Sequence, residues 1–257
     1  MKNIILFFLL TIGLHSAKAD CGMSGMQFFP GKRDISLNSM FIIQGYSQSI
    51  KTIDNFKNRT VFLESEDGKL IKLNLLEILK GKMYLAQAIF KPAEELKPNT
   101  IYVLKYSNQT DDETREMMQW NSNTKQNERV YWKTKDKKKN QLLNPNLIIK
   151  YKKTEVIEYG CGPSANAIFE IKNNSNPEIW CKTEMIDLTT KEKTIFYITE
   201  WEGKIHVGHG MCAGGFSFNK SGKYKVRFTP MNIDGNSLKT TEWKIFRSPY
   251  IEYKGLY

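Results

Sequence analysis

The chain has 257 residues, 38 lysines and arginines against 27 acids, and a formal net charge of +11. With 40% hydrophobic residues it is long enough to bury a core and to form one or two domains. Its positive charge is scattered except at Lys133–Lys139, so no nucleic-acid groove is indicated, and beyond the N-terminus no run reaches the ~20 apolar residues of a membrane span.

Residues 1–19 read as a signal peptide: Lys2 supplies the charged start, Ile4–Leu10 the apolar run, and Ala17-Lys18-Ala19 the small-x-small cleavage site. Cleavage before Asp20 removes two lysines and no acid, leaving +9. Cys21 raises a lipoprotein alternative, but Lys18-Ala19-Asp20 fits a lipobox poorly. The expected location is therefore exported, in the periplasm or at the cell surface.

After a Gly- and Pro-punctuated start, Ser39–Tyr46 reads as an apolar strand in which Gly45 marks a bulge or bend. Val61–Ser65 and Lys69–Leu79 are strands joined by Asp67-Gly68, a turn pair that tolerates positive φ. Met83–Phe90 follows. In Pro92–Tyr102 the pattern P-x-x-x-L-x-P-x-T-x-Y fixes a turn before the strand Ile101–Ser107. Tyr102 can return its hydroxyl to that turn while its ring packs inward. Residues 108–128 are polar and read as a long mobile loop. Arg129–Thr134 closes the half.

The opening I-x-L-N-S-x-F-x-I, the proline-tyrosine segment and the closing Trp132–Thr134 together resemble bacterial Ig-like domains, over most of residues 28–135. The resemblance implies a β-sandwich at 20–135, followed by a linker at 136–145.

In residues 146–257, short strands are predicted at the spacing of a second sandwich. The stretches are Leu147–Tyr151, Thr154–Tyr159, Ala167–Lys172, Ile179–Leu188, Thr194–Glu200, Lys204–Gly208, Phe216–Phe218, Lys223–Thr229 and Glu242–Arg247. The segment Gly222–Phe228 resembles the sixth strand of immunoglobulin and fibronectin type III domains, where a tyrosine, here Tyr224, forms a corner. YGCGP at 159–163 and VGHGMCAGGF at 207–216 together resemble a pattern in secreted proteins of Gram-negative bacteria. The expected fold class is thus all-β, two tandem Ig-like β-sandwich domains after a signal peptide.

The only histidines after the signal are His206 and His209, and with Cys212 and the adjacent Met211 they form one cluster that could converge on copper or zinc. Against this, a strand at 204–209 would point the two imidazoles to opposite faces, and an oxidising compartment would consume Cys212 in a disulfide. Cys161–Cys212 is the favoured pair, both flanked by glycines, with Cys21–Cys181 the remaining one. There is no C-x-x-C, which excludes zinc-ribbon, thioredoxin-like and c-type haem sites. The glycines at 208, 210, 214 and 215 do not match a phosphate loop and are expected at positive φ.

No G-x-S-x-G, no H-E-x-x-H and no S-x-x-K with its partner motifs is present, and the carboxylate pairs Glu64/Glu66, Glu94/Glu95 and Asp111/Asp112 sit at turns or in polar loops. Of the tryptophans, Trp180 and Trp243 read as core, and Trp120 and Trp201 as contact candidates. These features lead to an exported, non-enzymatic binding or structural module with no cofactor and an unknown protein or glycan partner. Contacts would run through loops 108–128 and 200–215. The alternative is a periplasmic metal-binding protein using His206, His209 and Cys212.

Overall fold

In a computed structural model, residues 24–121, 124–136, 142–174, 178–251 and 253 are described; the expected signal peptide and Cys21 lie outside them. The chain is all-β with its strands packed as sandwiches. Among the described residues no helix is long and apolar enough to cross a membrane.

The first half contains β1 (Gly25–Phe29), β2 (Asp34–Ile35), β3 (Phe41–Tyr46), β4 (Val61–Ser65), β5 (Leu70–Lys80), β6 (Leu85–Pro92), β7 (Ile101–Tyr106) and β10 (Tyr131–Thr134). They join in the order β1-β3-β6-β5-β4-β7-β10-β2. All pairs are antiparallel except β10 with β2. β5 makes the fold turn over: Leu70–Leu73 pair with β4, Leu73–Lys80 pair with β6, and the register shifts between Leu75 and Glu77. A bulge bends and twists a strand, so one continuous sheet covers both sides of a core. Phe41 on β3 meets Trp132 on β10, centroids 4.8 Å apart, across that core.

Two helical pieces interrupt these strands. A 3₁₀ turn (Ser47–Ser49) and α1 (Ile50–Asn55) follow β3; α2 (Asp111–Glu116) and the hairpin β8 (Met118–Asn121) and β9 (Gln126–Arg129) follow β7. Gly45 is not a bulge, since it pairs in register with Met26 and Ala86. A Cβ there would lie 2.7 Å from the Ser49 carbonyl oxygen and 2.9 Å from Ile53, so its role is to let α1 cross the strand.

The second half contains β11 (Ile148–Tyr159), β12 (Gly162–Lys172), β13 (Trp180–Asp187), β14 (Lys193–Thr199), β15 (Lys204–His209), β16 (Lys223–Met231) and β17 (Lys244–Arg247). A β11-β12-β15 sheet faces a β14-β13-β16-β17 sheet, and Phe169 meets Phe228 between them at 4.8 Å. The two strands expected at 147–159 are one, bulged between Tyr151 and Lys153. Phe216–Phe218 forms no strand, although Phe216 is fully buried. Leu143, at the end of the expected linker, is buried in this second core.

The halves are packed against each other. Met40, Ile42, Ile89, Trp180, Tyr197 and Met231 form a cluster with members from both. Buried Gln87 treats β14 as a neighbouring strand: its amide donates to the Tyr197 carbonyl at 2.9 Å and accepts from the Tyr197 N–H at 3.0 Å. Glu77 accepts from Lys182 and from the Tyr197 hydroxyl, both at 3.0 Å. The Glu178 carboxylate receives the N–H groups of Gly31 and Lys32. A buried amide satisfied this way, as Gln87 is, specifies register as well as adhesion.

Candidate functional site

Of residues 108–128, expected to be a mobile loop, 108–121 and 124–128 are ordered structure built on α2. Thr110 caps the helix: its hydroxyl accepts from the Glu113 N–H at 3.2 Å, and the Glu113 carboxylate accepts from the Thr110 N–H at 3.0 Å. The sequence carries the signal for this, since T-x-x-E at 110–113 is a capping box, worth about 1 kcal/mol. The helix ends at Met117, which is buried in the first core and accepts the Val130 N–H. The hairpin therefore projects from a fixed stem. Met118 and Trp120, two residues apart, share its solvent face at 42% and 61% exposure.

Glu113 does more than cap. Its carboxylate takes both terminal nitrogens of Arg59, and Thr52 donates to it at 3.1 Å. The Arg59 guanidinium lies over the rings of Phe56 and Tyr106, at 5.1 and 4.9 Å. Burial raises the Glu113 pKa, but the Arg59 and Thr110 hydrogen bonds outweigh it and hold the carboxyl below the ordinary glutamate value. Burial drives the Tyr106 phenol well above its ordinary value, with Arg59 opposing. The Tyr106 hydroxyl and the Nε of Arg59 and of Arg129 are buried without a protein partner. Arg129 donates from Nη2 to the Leu104 carbonyl. A buried polar network left partly open in this way is more typical of sites than of plain cores.

Two cavities open beside this pair. One of about 500 Å³ is lined by Ser49, Lys51, Thr52, Asp112, Arg115 and Glu116, among others. The second, of about 410 Å³, is lined by Lys57, Asn58, Arg59, Thr60, Lys72 and Asn74 over a floor that includes Phe56 and Leu73. Insertions at the end of a rigid sandwich are where binding groups are usually placed.

The other predicted loop has a different job. The His209 Nδ1 lies 2.7 Å from the Gly210 carbonyl, which can only accept, so Nδ1 carries the proton. Nε2 then accepts from the Tyr250 hydroxyl at 3.3 Å. His206 points to the opposite strand face, as its parity requires, beside Trp201 at 5.8 Å. Burial, with Lys204 adding and Glu155 opposing, lowers its pKa. Among the described residues no three His, Cys, Asp or Glu side chains converge to hold a metal, so the alternative His206/His209/Cys212 set for copper or zinc is not assembled.

Gly208 stands at φ +159°, whereas Gly214 and Gly215 serve close approach instead of positive φ. A Cβ on Gly214 would fall 2.2 Å from that of His209, and one on Gly215 would fall 2.7 Å from the Phe196 ring. Gly214 exchanges both backbone hydrogen bonds with Met83 of the first half, at 2.7 and 3.1 Å, and Lys82 donates to the Gly215 carbonyl. The stretch is a clasp between the halves.

Cys161 and Cys181 carry free thiols, so neither the Cys161–Cys212 nor the Cys21–Cys181 bridge forms; Cys212 is disulfide-bonded, to neither of these two. Cys181 is fully buried, and burial raises its thiol pKa, which keeps it inert. Trp180 is core, as expected, and Trp201 is 63% exposed. Trp243 is not core: it is half-buried on the surface, with Lys225 and Arg227 at 4.7 and 4.5 Å from its ring.

No family model and no curated protein matches the chain. Solved structures with some likeness are a pullulanase from Anoxybacillus sp. LM18-11 complexed with maltotriose, at 10% identity, and a second structure of the pullulanase from that source, at 11%. Each alignment has a TM-score of 0.25 and covers 79% of this chain and 24% of the pullulanase chain. A likeness of that size carries no argument about activity.

Proposed function

We propose that the protein is an exported, non-enzymatic binding module of the periplasm or cell surface, and that it meets a protein or glycan partner through the inserted end of its first half. The observation that carries this reading is the Met118/Trp120 face, an exposed apolar pair held on a stem that α2 and its capping box anchor to the core. A large aromatic kept in solvent on a rigid support has lost its flexibility before binding, which is how contact hot spots gain affinity. The clasp and the Gln87 bridge hold the second half as a support behind that end.

The test is capture of partners from the cell envelope by the purified protein. Trp120→Ala should reduce capture at least about tenfold, the effect of one aromatic hot spot, while Trp201→Ala leaves it intact. Both variants should melt with the parent. Undiminished capture by Trp120→Ala would overturn the reading.

A further inference from the structure

The two cavities beside the Arg59–Glu113 pair are close in size and opposite in chemistry. The larger mixes Asp112, Glu113 and Glu116 with Lys51 and Arg115, and Arg115 pairs with Asp112. The smaller has Lys57, Arg59 and Lys72 in its wall and no carboxylate at all. Neither Lys57 nor Lys72 joins an ion pair among the described residues. Asn58, Thr60 and Asn74 add neutral polar groups to the same wall.

We infer that the smaller cavity is an oxyanion site, taking a phosphate or carboxylate group carried by a soluble ligand. Its cations come from separate segments. Lys57 and Arg59 lie in the turn after α1, and Lys72 lies on β5 opposite Phe62. The turn is pinned on both sides. Asn58 donates to the Asn55 carbonyl at 2.9 Å, the Thr60 N–H donates to the Ser107 hydroxyl at 3.0 Å, and the Ser107 N–H donates back to the Thr60 carbonyl at 2.9 Å. Arg59 is fixed by Glu113 and the two aromatic rings, so it cannot swing out to pair elsewhere.

Two unanswered ammonium groups on a positively charged chain favour any anion that reaches them. The division of labour also sets the class of ligand. The terminal nitrogens of Arg59 are already committed to Glu113, so no bidentate fork is offered. Lysine binds as a point charge, and Asn and Thr groups suit hydroxyls beside the anion. A compact oxyanion on a polar carrier fits, whereas a long apolar acid does not, because Phe56, Leu73 and Phe90 are buried in the core and offer little free surface.

This inference does not rest on Trp120. The probes are inorganic phosphate and glucuronate, titrated separately into the isotope-labelled mature protein at constant ionic strength and followed by backbone amide NMR shifts. The expected result is saturable shifts confined to residues 57–60 and 72–74. The double variant Lys57→Gln/Lys72→Gln should weaken them at least about tenfold, as loss of two charge-assisted contacts requires, with an unchanged melting temperature. Saturation by phosphate alone assigns the site to phosphate groups, and by glucuronate alone to sugar acids. Shifts spread over lysines throughout the chain and linear in concentration would overturn the inference. So would equal binding by the double variant, and in either case the partner capture lost in Trp120→Ala would still stand.

Discussion

In the first half, the Tyr102 hydroxyl accepts the Lys97 N–H at 2.9 Å; in the second, the Tyr224 hydroxyl accepts the Asn219 N–H at 2.6 Å. Both donors lie five residues upstream, both rings are fully buried, and both tyrosines stand at the entry of a strand. The two halves thus close the same corner with the same contact. They differ in what is added. Among the described residues the second half joins its strands without an α-helix, its longest connections being 210–222 and 232–243, while the first interposes α1, α2 and the β8–β9 hairpin. The buried ion pair and the Met118/Trp120 face are built on those additions, and both cavities are lined by them, the smaller together with β5 and β6. On the proposed function, the shared sandwich devices would carry stability and the insertions recognition.

The strongest way to break the comparison is to remove what joins the halves. Trp180 is fully buried in the shared cluster and donates from Nε1 to Glu178, which itself holds Gly31 and Lys32. Trp180→Ala should cost about 3–5 kcal/mol. In differential scanning calorimetry it should split one transition into two, the first half melting separately. A single transition displaced by under about 1 kcal/mol, the size of a surface substitution, would show that the halves do not depend on each other.

Next in size is the insert. Glu113→Gln leaves Arg59 buried without its counter-charge and should cost about 3 kcal/mol, confined to the first half. Because the folded Glu113 pKa is depressed, its contribution is complete above the ordinary glutamate range and is lost as pH falls through the lowered value. Urea midpoints measured from neutrality into acid should therefore fall less steeply for Glu113→Gln than for the parent. An identical acid limb would remove Glu113 as the keystone of the insert.

The smallest effect tests the similarity itself. Tyr102→Phe and Tyr224→Phe each remove one acceptor and leave a backbone N–H to find another, at about 1–2 kcal/mol. Equal losses in chemical denaturation would support a common corner; a loss in one half only would mean that the contact is incidental in the other.

Much of the scaffold was legible in local pattern. Asp67-Gly68 turns where its chemistry demands, with Gly68 at φ +79°, and β4 spans the residues its alternation predicts. Tyr102 sends its hydroxyl back as the proline-flanked turn implies. The insert is less legible. The capping box at Thr110–Glu113 lies within a polar composition that reads as loop, although an amphipathic surface helix can be polar on most of its face. Arg59 gave no signal at all, since its partner Glu113 is 54 residues away.

What the sequence determined by itself is what short-range physics controls: strand periodicity, turn residues, the tyrosine corners and the opposed facing of His206 and His209. These depend on neighbours within a few positions, so their causes lie side by side in the chain. Tertiary structure decided which distant segments meet. Gly45 is small because α1 crosses it, and Gly214 because Met83 pairs beside it. Cys161 stays free, Trp243 lies between cations at the surface, and α2 in the polar stretch is held because Arg59 and the core receive it. Each of these outcomes depends on the distance between groups far apart in sequence, and local pattern does not encode that distance.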